Sequence, residues 1–421
     1  MLRHTRASKG LLSWQQEAGL HRESAYGRYS PVRRVFAIPD EVSDGEFATR
    51  LAHIVDREDA LHLVGATLDG GGATSYRQSF PLPLRHLSCT AEELEHAARA
   101  AVAPPRNGGP WWEVAVIHGP DGRRYASCVF DHLVSDGYSV LLLQNELTGR
   151  GRRERSSAAG AYQEWVAWQR REFPRDGGGA GASRGFWLRH LDGTTADRPT
   201  PLPFTTDAAG GQPGLVTTMT RDLPLTFDDL RATAQVLRAT PFLLVFANLI
   251  AAVSQLSGSE DITVRVAGTG RRPSMAGALG WFADAFPIRT RATGIADPHR
   301  ALAVARPLTA RILGTPATAP WEYIRALSSA SDAGDAKRQI MLNFAPDETP
   351  QLFTEAEGEH TGPGSADALH LFVKSGPEGN CRLAALVDHG VFAPEGVRSF
   401  LDDVGHALAT MARPRQRVES A

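Results

Sequence analysis

Phe130-Asp-His-Leu-Val-Ser-Asp-Gly-Tyr-Ser139 is the stretch on which the reading of this chain turns. It joins an apolar run, Tyr125-Ala-Ser-Cys-Val-Phe130, to a leucine-rich segment that continues to Leu147. The first run reads as a strand and the second as a helix, so His132, Asp136 and Gly137 occupy a strand-to-helix connection. A histidine at a strand end can reach a cleft, and imidazole is the side chain suited to moving protons near neutral pH. Asp136-Gly137 reads as a turn into the helix. By itself His-x-x-x-Asp-Gly is a weak pattern, and it serves more readily as a structural turn than as chemistry.

Outward from this stretch the elements mix. Upstream, Val114-Ala-Val-Ile117 and the Tyr125–Phe130 run flank Gly119-Pro-Asp-Gly122, a hairpin signal. Phe47, Leu51, Ile54 and Val55 recur at helical spacing within 46–58. Thr90-Ala-Glu-Glu93 is a capping box that predicts a helix running to Val102. Downstream, Tyr162 to Glu172 predicts an aromatic-rich helix between two linkers, Gly149–Gly160 and the glycine run within 175–183. That run divides the chain into lobes of residues 1–175 and 176–421. The second half has an apolar helix opened by Thr240-Pro241 and a strand at Ile262, Val264 and Val266. A hairpin of 369–374 with 382–387 follows, then a final helix from Pro394 that buries Val397, Leu401, Val404 and Leu408. Helices mixed with largely antiparallel strands in both halves predict an α+β fold.

Composition narrows the class. A length of 421 residues favours two lobes of roughly 200 each. A net charge of −2 supplies no basic face for nucleic acid, so Arg33-Arg34 and the arginines of 150–155 read as solvated loop charge. Cys89, Cys128 and Cys381 are scattered without a CxxC or a neighbouring histidine pair, which predicts no disulfide framework and no metal site. No secretory signal or spanning apolar run is visible, and the expectation is a cytoplasmic protein without membrane contact.

The central stretch also resembles a known signature. The pattern H-H-x-x-x-D-G-x-S marks the condensation domains of nonribosomal peptide synthetases and related acyltransferases. Here it stands as Asp131-His132-Leu-Val-Ser-Asp136-Gly137-Tyr-Ser139. Further matches follow in the family's order. Tyr162-Gln-Glu-Trp-Val-Ala-Trp168 is similar to its Y-x-D-Y-x-x-W segment. Val266-Ala-Gly-Thr-Gly-Arg-Arg-Pro273 and Leu279-Gly-Trp-Phe-Ala-Asp-Ala-Phe-Pro-Ile-Arg289 resemble its G-R-x-R-P and G-x-F-V-N-T-x-P-L-R segments. Pro320-Trp-Glu-Tyr-Ile324 resembles its P-F-E-x-L piece, and Arg57-Glu58 with Leu61 echo an early R-H-E-x-L-R. Residues 339–344 fall where the family has a strand of its second lobe. The resemblance covers residues 35 to 411.

It implies two chloramphenicol-acetyltransferase-like lobes in a V-shaped pseudo-dimer, with an active-site tunnel between them. It implies a first lobe carrying the His132 motif and a second carrying the Gly280-x-Phe282 segment and a bridging loop. His132 matches the catalytic histidine, expected to take a proton from, or orient, an attacking amine or hydroxyl. Gly137 is expected to leave room for substrate and to offer its N–H to a developing oxyanion. Asp136 matches an aspartate that holds the loop through an arginine, for which Arg289 is the candidate. Ser139, Trp281 and Asp284 are expected along the tunnel.

The chain departs from the pattern twice. Asp131 replaces the first histidine; strand alternation should turn it from the cleft, with a supporting role and no evident local cation. Ala283-Asp284-Ala285 stands where the family has V-N-T.

The implied activity is a free-standing condensation enzyme. It would join a carrier-protein-bound acyl or aminoacyl thioester to an amine or alcohol, with an acyl or peptidyl carrier protein acting in trans. No cofactor would be resident, since the donor's phosphopantetheine arm brings the acyl group. An acyl-coenzyme-A-dependent acyltransferase and a non-catalytic recruitment module of the same fold stay open.

Overall fold

The computed structural model describes residues 8–26, 31–69, 72–77, 79–90, 93, 106, 109–150, 160–177, 181–191, 202, 204, 215–313, 320, 323, 340–344, 358–361, 369–376 and 379–412. The helix expected to run to Val102 lies outside them, as do most of the linker before Gly160 and of the 320–324 piece. Thr90 and Glu93 do make the reciprocal cap bonds, Glu93 N donating to Thr90 Oγ1 (3.3 Å) and Thr90 N to the Glu93 carboxylate (2.9 Å).

Two compact units are present. Unit 1 comprises residues 1–180, 269–284 and 351–355; unit 2 comprises 181–268, 285–350 and 356–421. In unit 1 the elements are β1 (Ser8–Leu11), α1 (Trp14–Tyr26), β2 (Val32–Ile38), α2 (Asp44–Arg57), β3 (Leu63–Asp69), β4 (Gly72–Arg77), β5 (Leu84–Ser88), β6 (Trp112–His118), β7 (Arg124–Phe130), α3 (Gly137–Leu147) and α4 (Ala161–Glu172). One sheet has the order β1-β4-β3 and the other β2-β7-β6-β5. The β6–β7 hairpin pairs Trp112 with Phe130 and His118 with Arg124, and Gly122 takes the left-handed turn position at φ +76°. Strand alternation puts Trp112, Val114 and Val116 on the same face as Ala126, Cys128 and Phe130. That face is the core, closed by Phe47, Leu51, Ile54 and Val55 of α2 and by Val140, Leu143 and Leu147 of α3.

Local chemistry explains why these helices begin where they do. Ser43 caps α2 by accepting from Glu46 N (3.2 Å), and Asp136 caps α3 by accepting from Ser139 N (2.8 Å). The expected boundaries at 46 and 138 are therefore short by a residue or two. Neither β1 nor α1 was visible in the sequence, since α1 mixes Gln15, Gln16 and Glu17 with its apolar residues and buries those polar side chains.

Unit 2 contains α5 (Gly181–His190), β8 (Leu215–Thr226), α6 (Phe227–Val236), α7 (Pro241–Ser257), β9 (Asp261–Gly268), β10 (Asp284–Arg291), α8 (Pro298–Leu313), β11 (Ile340–Phe344), β12 (Gly358–Thr361), β13 (Leu369–Ser375), β14 (Asn380–Asp388) and α9 (Pro394–Ala412). Its seven-stranded sheet has the order β10-β9-β11-β13-β14-β8-β12. The expected hairpin is β13 with β14, antiparallel. The sheet is more mixed than expected, because β11 runs parallel to both β9 and β13. The α7 helix opens with Thr240 as cap and Pro241 in its first turn, ends on Gly258, and is buried almost throughout. Among the described residues no single helix is long and apolar enough to cross a membrane.

One assignment changes. Residues 269–284, placed by the sequence reading in a second lobe of 176–421, group with unit 1. Buried hydrogen bonds explain this. Glu58 accepts from Leu279 N (2.9 Å), Tyr162 Oη donates to Trp281 O (3.1 Å), and Ser139 Oγ donates to Gly280 O (2.8 Å). The segment turns on Gly270 at φ +60°, where a Cβ would lie 1.9 Å from Phe282 O. We expect Gly270→Ala to destabilise unit 1 by about 1–3 kcal/mol or more, from the left-handed backbone and the clash together. Denaturation followed by tryptophan fluorescence, with Gly45→Ala in open space as the control, measures it.

Candidate active site

The centre of the site is the carboxylate of Asp136, about 1% exposed. Its Oδ1 accepts from Ser139 N (2.8 Å) and Arg271 Nη2 (3.0 Å). Its Oδ2 accepts from Arg271 Nη1, Phe282 N and Ala283 N, all at 3.0 Å. Burial alone would push this carboxyl up; the bidentate guanidinium and the backbone amides outweigh it and hold Asp136 below the usual carboxylate range. Arg271 is itself enclosed, with its guanidinium over the rings of Phe282 (4.4 Å) and Tyr138 (4.8 Å).

The expected partner, Arg289, is a correction. It belongs to unit 2, where its Nε donates to Asp261 (2.7 Å) on the neighbouring strand. The arginine that serves Asp136 comes instead from the Gly270-Arg271-Arg272-Pro273 turn. That turn was visible in the sequence as the G-R-x-R-P match, but spacing does not tell which of several arginines reaches a given carboxylate.

Ser139 is buried. Its hydroxyl accepts from Arg271 Nη2 (2.6 Å) and Gly280 N (3.0 Å) and donates to Gly280 O, which uses its full capacity. It stands behind the loop and fastens it to residues 278–283. Asp284 is buried and accepts from Gln15 Nε2 at 3.5 Å. Trp281 belongs to the hydrophobic core, and its ring lies 4.5 Å from that of His132, tilted 51°. Space beside Trp281 is tight: a Cβ on Gly19 of α1 would come within 2.6 Å of the indole.

His132 lies in the turn between β7 and α3, half-buried, with its Nδ1 shielded from solvent. Burial lowers its pKa below the ordinary histidine value, and the nearby Asp136 carboxylate opposes that shift without cancelling it. The loop is held from outside by Gln16 of α1, which donates to Leu133 O (2.6 Å). Gly137, exposed at the first turn of α3, has open space where a Cβ would stand. The fold itself therefore does not require glycine there.

Asp131 follows β7 rather than lying in it, since the strand ends at Phe130, so its orientation is set by the turn and not by strand alternation. Its buried carboxylate accepts from Leu133 N (2.8 Å) and from Arg106 Nε and Nη2 (both 2.8 Å). Arg106 also donates to Glu23 of α1 through Nη2 (2.7 Å), and its guanidinium lies 5.0 Å from the Trp111 ring. The absence of a local cation expected from the sequence is thus overturned. In sequence Arg106 belongs to a Pro-Gly-rich stretch, Pro104-Pro-Arg106-Asn-Gly-Gly-Pro110, with no periodic signal to mark it.

This architecture is found in known proteins. The chain superposes on the condensation domain of the monacolin K polyketide synthase MokA with a TM-score of 0.77, at 15% identity over 97% of this chain and 98% of that one. SgcC5 of Streptomyces globisporus gives 0.71 at 17% identity, over 96% and 99%. In sequence, 264 residues are 31% identical to cyclosporin synthetase simA of Tolypocladium inflatum, 56% of this chain and 2% of that one. A further 202-residue match, 28% identical, is to the phosphinothricin tripeptide synthetase PhsC of Streptomyces viridochromogenes, covering 44% of this chain and 18% of the relative. No protein-family model matches. The fold is the α+β, chloramphenicol-acetyltransferase-like fold seen in condensation domains, and the chain spans only a small part of the synthetases it matches in sequence.

Two outcomes follow from the buried charges. A carboxyl whose folded pKa is depressed stabilises the fold above its ordinary range and loses that contribution as pH falls through the lower folded value. Asp136→Asn should therefore destabilise unit 1 by about 3–5 kcal/mol at pH 7 and flatten the loss of stability seen below about pH 4. Urea unfolding across pH measures both. Asp131→Asn leaves Arg106 its Glu23 partner, so a smaller loss, about 1–2 kcal/mol, is expected from the same measurement.

Proposed function

We propose that this chain catalyses condensation: attack of an amine or alcohol on an acyl or aminoacyl thioester carried by the phosphopantetheine arm of a carrier protein. The observation that carries the reading is the half-buried imidazole of His132, set 4.5 Å from the tilted Trp281 ring on a loop anchored by the Asp136–Arg271 pair. A burial-lowered pKa keeps that imidazole neutral at pH 7, the state that can accept a proton.

In this mechanism Nδ1 is enclosed, so Nε2 meets the acceptor. His132 takes the proton from the attacking N–H or O–H as the new bond to the carbonyl carbon forms. The tetrahedral oxyanion is met by the Gly137 N–H at the start of α3, where the absent Cβ leaves the approach clear. Collapse breaks the C–S bond, and the proton passes from His132 to the leaving thiolate. The product is an amide or ester and a free phosphopantetheine thiol. Two structures of this fold are in keeping with such a reaction: one concerns condensation domain-mediated chain release from the enacyloxin polyketide synthase, another the first condensation domain of the calcium-dependent antibiotic synthetase with a substrate analogue.

A second reading has its own support. Asp131 occupies the first histidine position of the signature, and the fold is shared by the X-domain of teicoplanin biosynthesis, solved in complex with OxyB. On that reading the chain recruits a protein and transfers no acyl group.

Acyl thioesters presented on a carrier protein and on coenzyme A, with amine and alcohol acceptors, separate the readings. Condensation predicts carrier-dependent product, and His132→Ala lowering turnover about 100-fold or more while the thermal midpoint is kept. Product formed equally well from coenzyme A moves the donor class. No product from any donor, or a well-folded His132→Ala enzyme of normal turnover, ends the catalytic assignment. The pH profile should be flat through neutrality and fall on the acid side below the ordinary histidine range, as the lowered His132 pKa requires.

A further inference from the structure

At the far end of the β6–β7 hairpin from the His132 loop, three side chains converge on one point. Asp44 Oδ2, in the first turn of α2, is 3.6 Å from His86 Nδ1 on β5 and 3.4 Å from His118 Nε2 on β6. The two imidazole nitrogens are 3.4 Å apart, and the rings stack at 5.7 Å between centroids. Each residue is placed by regular structure. His118 continues the alternation Trp112, Val114, Val116 on the core face of the sheet, and β5 runs parallel beside it with His86 opposite Val116. The apolar layer between the sheet and α2 thus ends in a polar rim. His118 lies six residues along β6 from Trp112, about 20 Å from the loop that follows Phe130.

The distances match a specific geometry. Zinc bonds of about 2.0–2.2 Å at tetrahedral angles put neighbouring ligand atoms about 3.3–3.6 Å apart. The three observed separations form one face of such a tetrahedron. Two imidazoles and one carboxylate suit zinc-class ions rather than calcium or magnesium, which favour oxygen. Arg124, paired with His118 across the hairpin, donates to the other oxygen of Asp44 (2.7 Å). It orients the carboxylate and leaves Oδ2 facing the histidines, while its positive charge works against a cation.

From this we infer that Asp44, His86 and His118 form a binding site for a zinc-class divalent cation, tying β5, β6 and the start of α2 together. The scattered cysteines gave no hint of it, because the two histidines are 32 residues apart and meet only through the parallel β5–β6 pair. The fourth coordination position is left to water.

The test is zinc titration of the full chain without an affinity tag, after dialysis against chelator, by calorimetry and thermal unfolding. One equivalent of zinc should bind and raise the midpoint, while magnesium does neither. His118→Ala should weaken zinc binding at least tenfold. His86→Gln, at an exposed position, should do the same with the chelated protein's midpoint unchanged, so that a folding defect is not mistaken for a lost ligand. Arg124→Gln, which removes the opposing charge, should bind more tightly. Zinc binding unchanged in both histidine variants, or no saturable binding by the parent chain, overturns the site.

Discussion

A single buried carboxylate organises the candidate active site. Asp136 accepts from five donors at once: the two guanidinium nitrogens of Arg271 and the amides of Ser139, Phe282 and Ala283. Left alone in that environment it would be costly; surrounded by five donors it becomes the point at which three parts of the chain agree on one geometry. The start of α3, the turn at Arg271 and the run through Phe282 all end on it. Because α3 is capped by the same oxygen pair, the helix cannot begin at a different residue without unsatisfying the arginine. The turn that carries His132 sits between β7 and this cap, so its two ends are fixed by a hydrogen-bonded strand and by an ion pair.

The environment of His132 follows from the same arrangement. Trp281 reaches the imidazole because Ser139 fastens Gly280, the residue before it, and because Gly19 leaves no side chain in the way. The indole and the core behind it lower the dielectric around the ring, which depresses the pKa, while Asp136 lies near enough to resist the shift. An imidazole biased toward its neutral form beside a fixed anion is a state that burial and charge set together.

Much of this was legible in the sequence, and the gaps have physical causes. Elements with a strong period or a cap were found within a residue or two: α2 from its Phe47-Leu51-Ile54-Val55 stripe, α7 from Thr240-Pro241, the β6–β7 hairpin from its Gly-Pro-Asp-Gly turn. The family signature located the His132 loop. What it did not reveal were partners set by tertiary structure. Arg271 and Arg289 are both arginines flanking the same segment, and only the path of the chain decides that one meets Asp136 and the other Asp261. Arg106 comes from a Pro-Gly-rich sequence, α1 hides its buried glutamines among polar residues, and His86 and His118 meet across parallel strands. Periodicity carries no information about any of these.

The Arg106 bridge has a consequence for how this chain can change. Glu23 of α1 and Asp131 at the end of β7 share the one guanidinium of Arg106. A histidine placed at 131 would meet that guanidinium where a carboxylate now neutralises it, so the exchange is penalised while the arginine remains. Arg106 lost first would leave two acids facing each other. The three positions are therefore coupled: the effect of replacing any one of them depends on which residues stand at the other two.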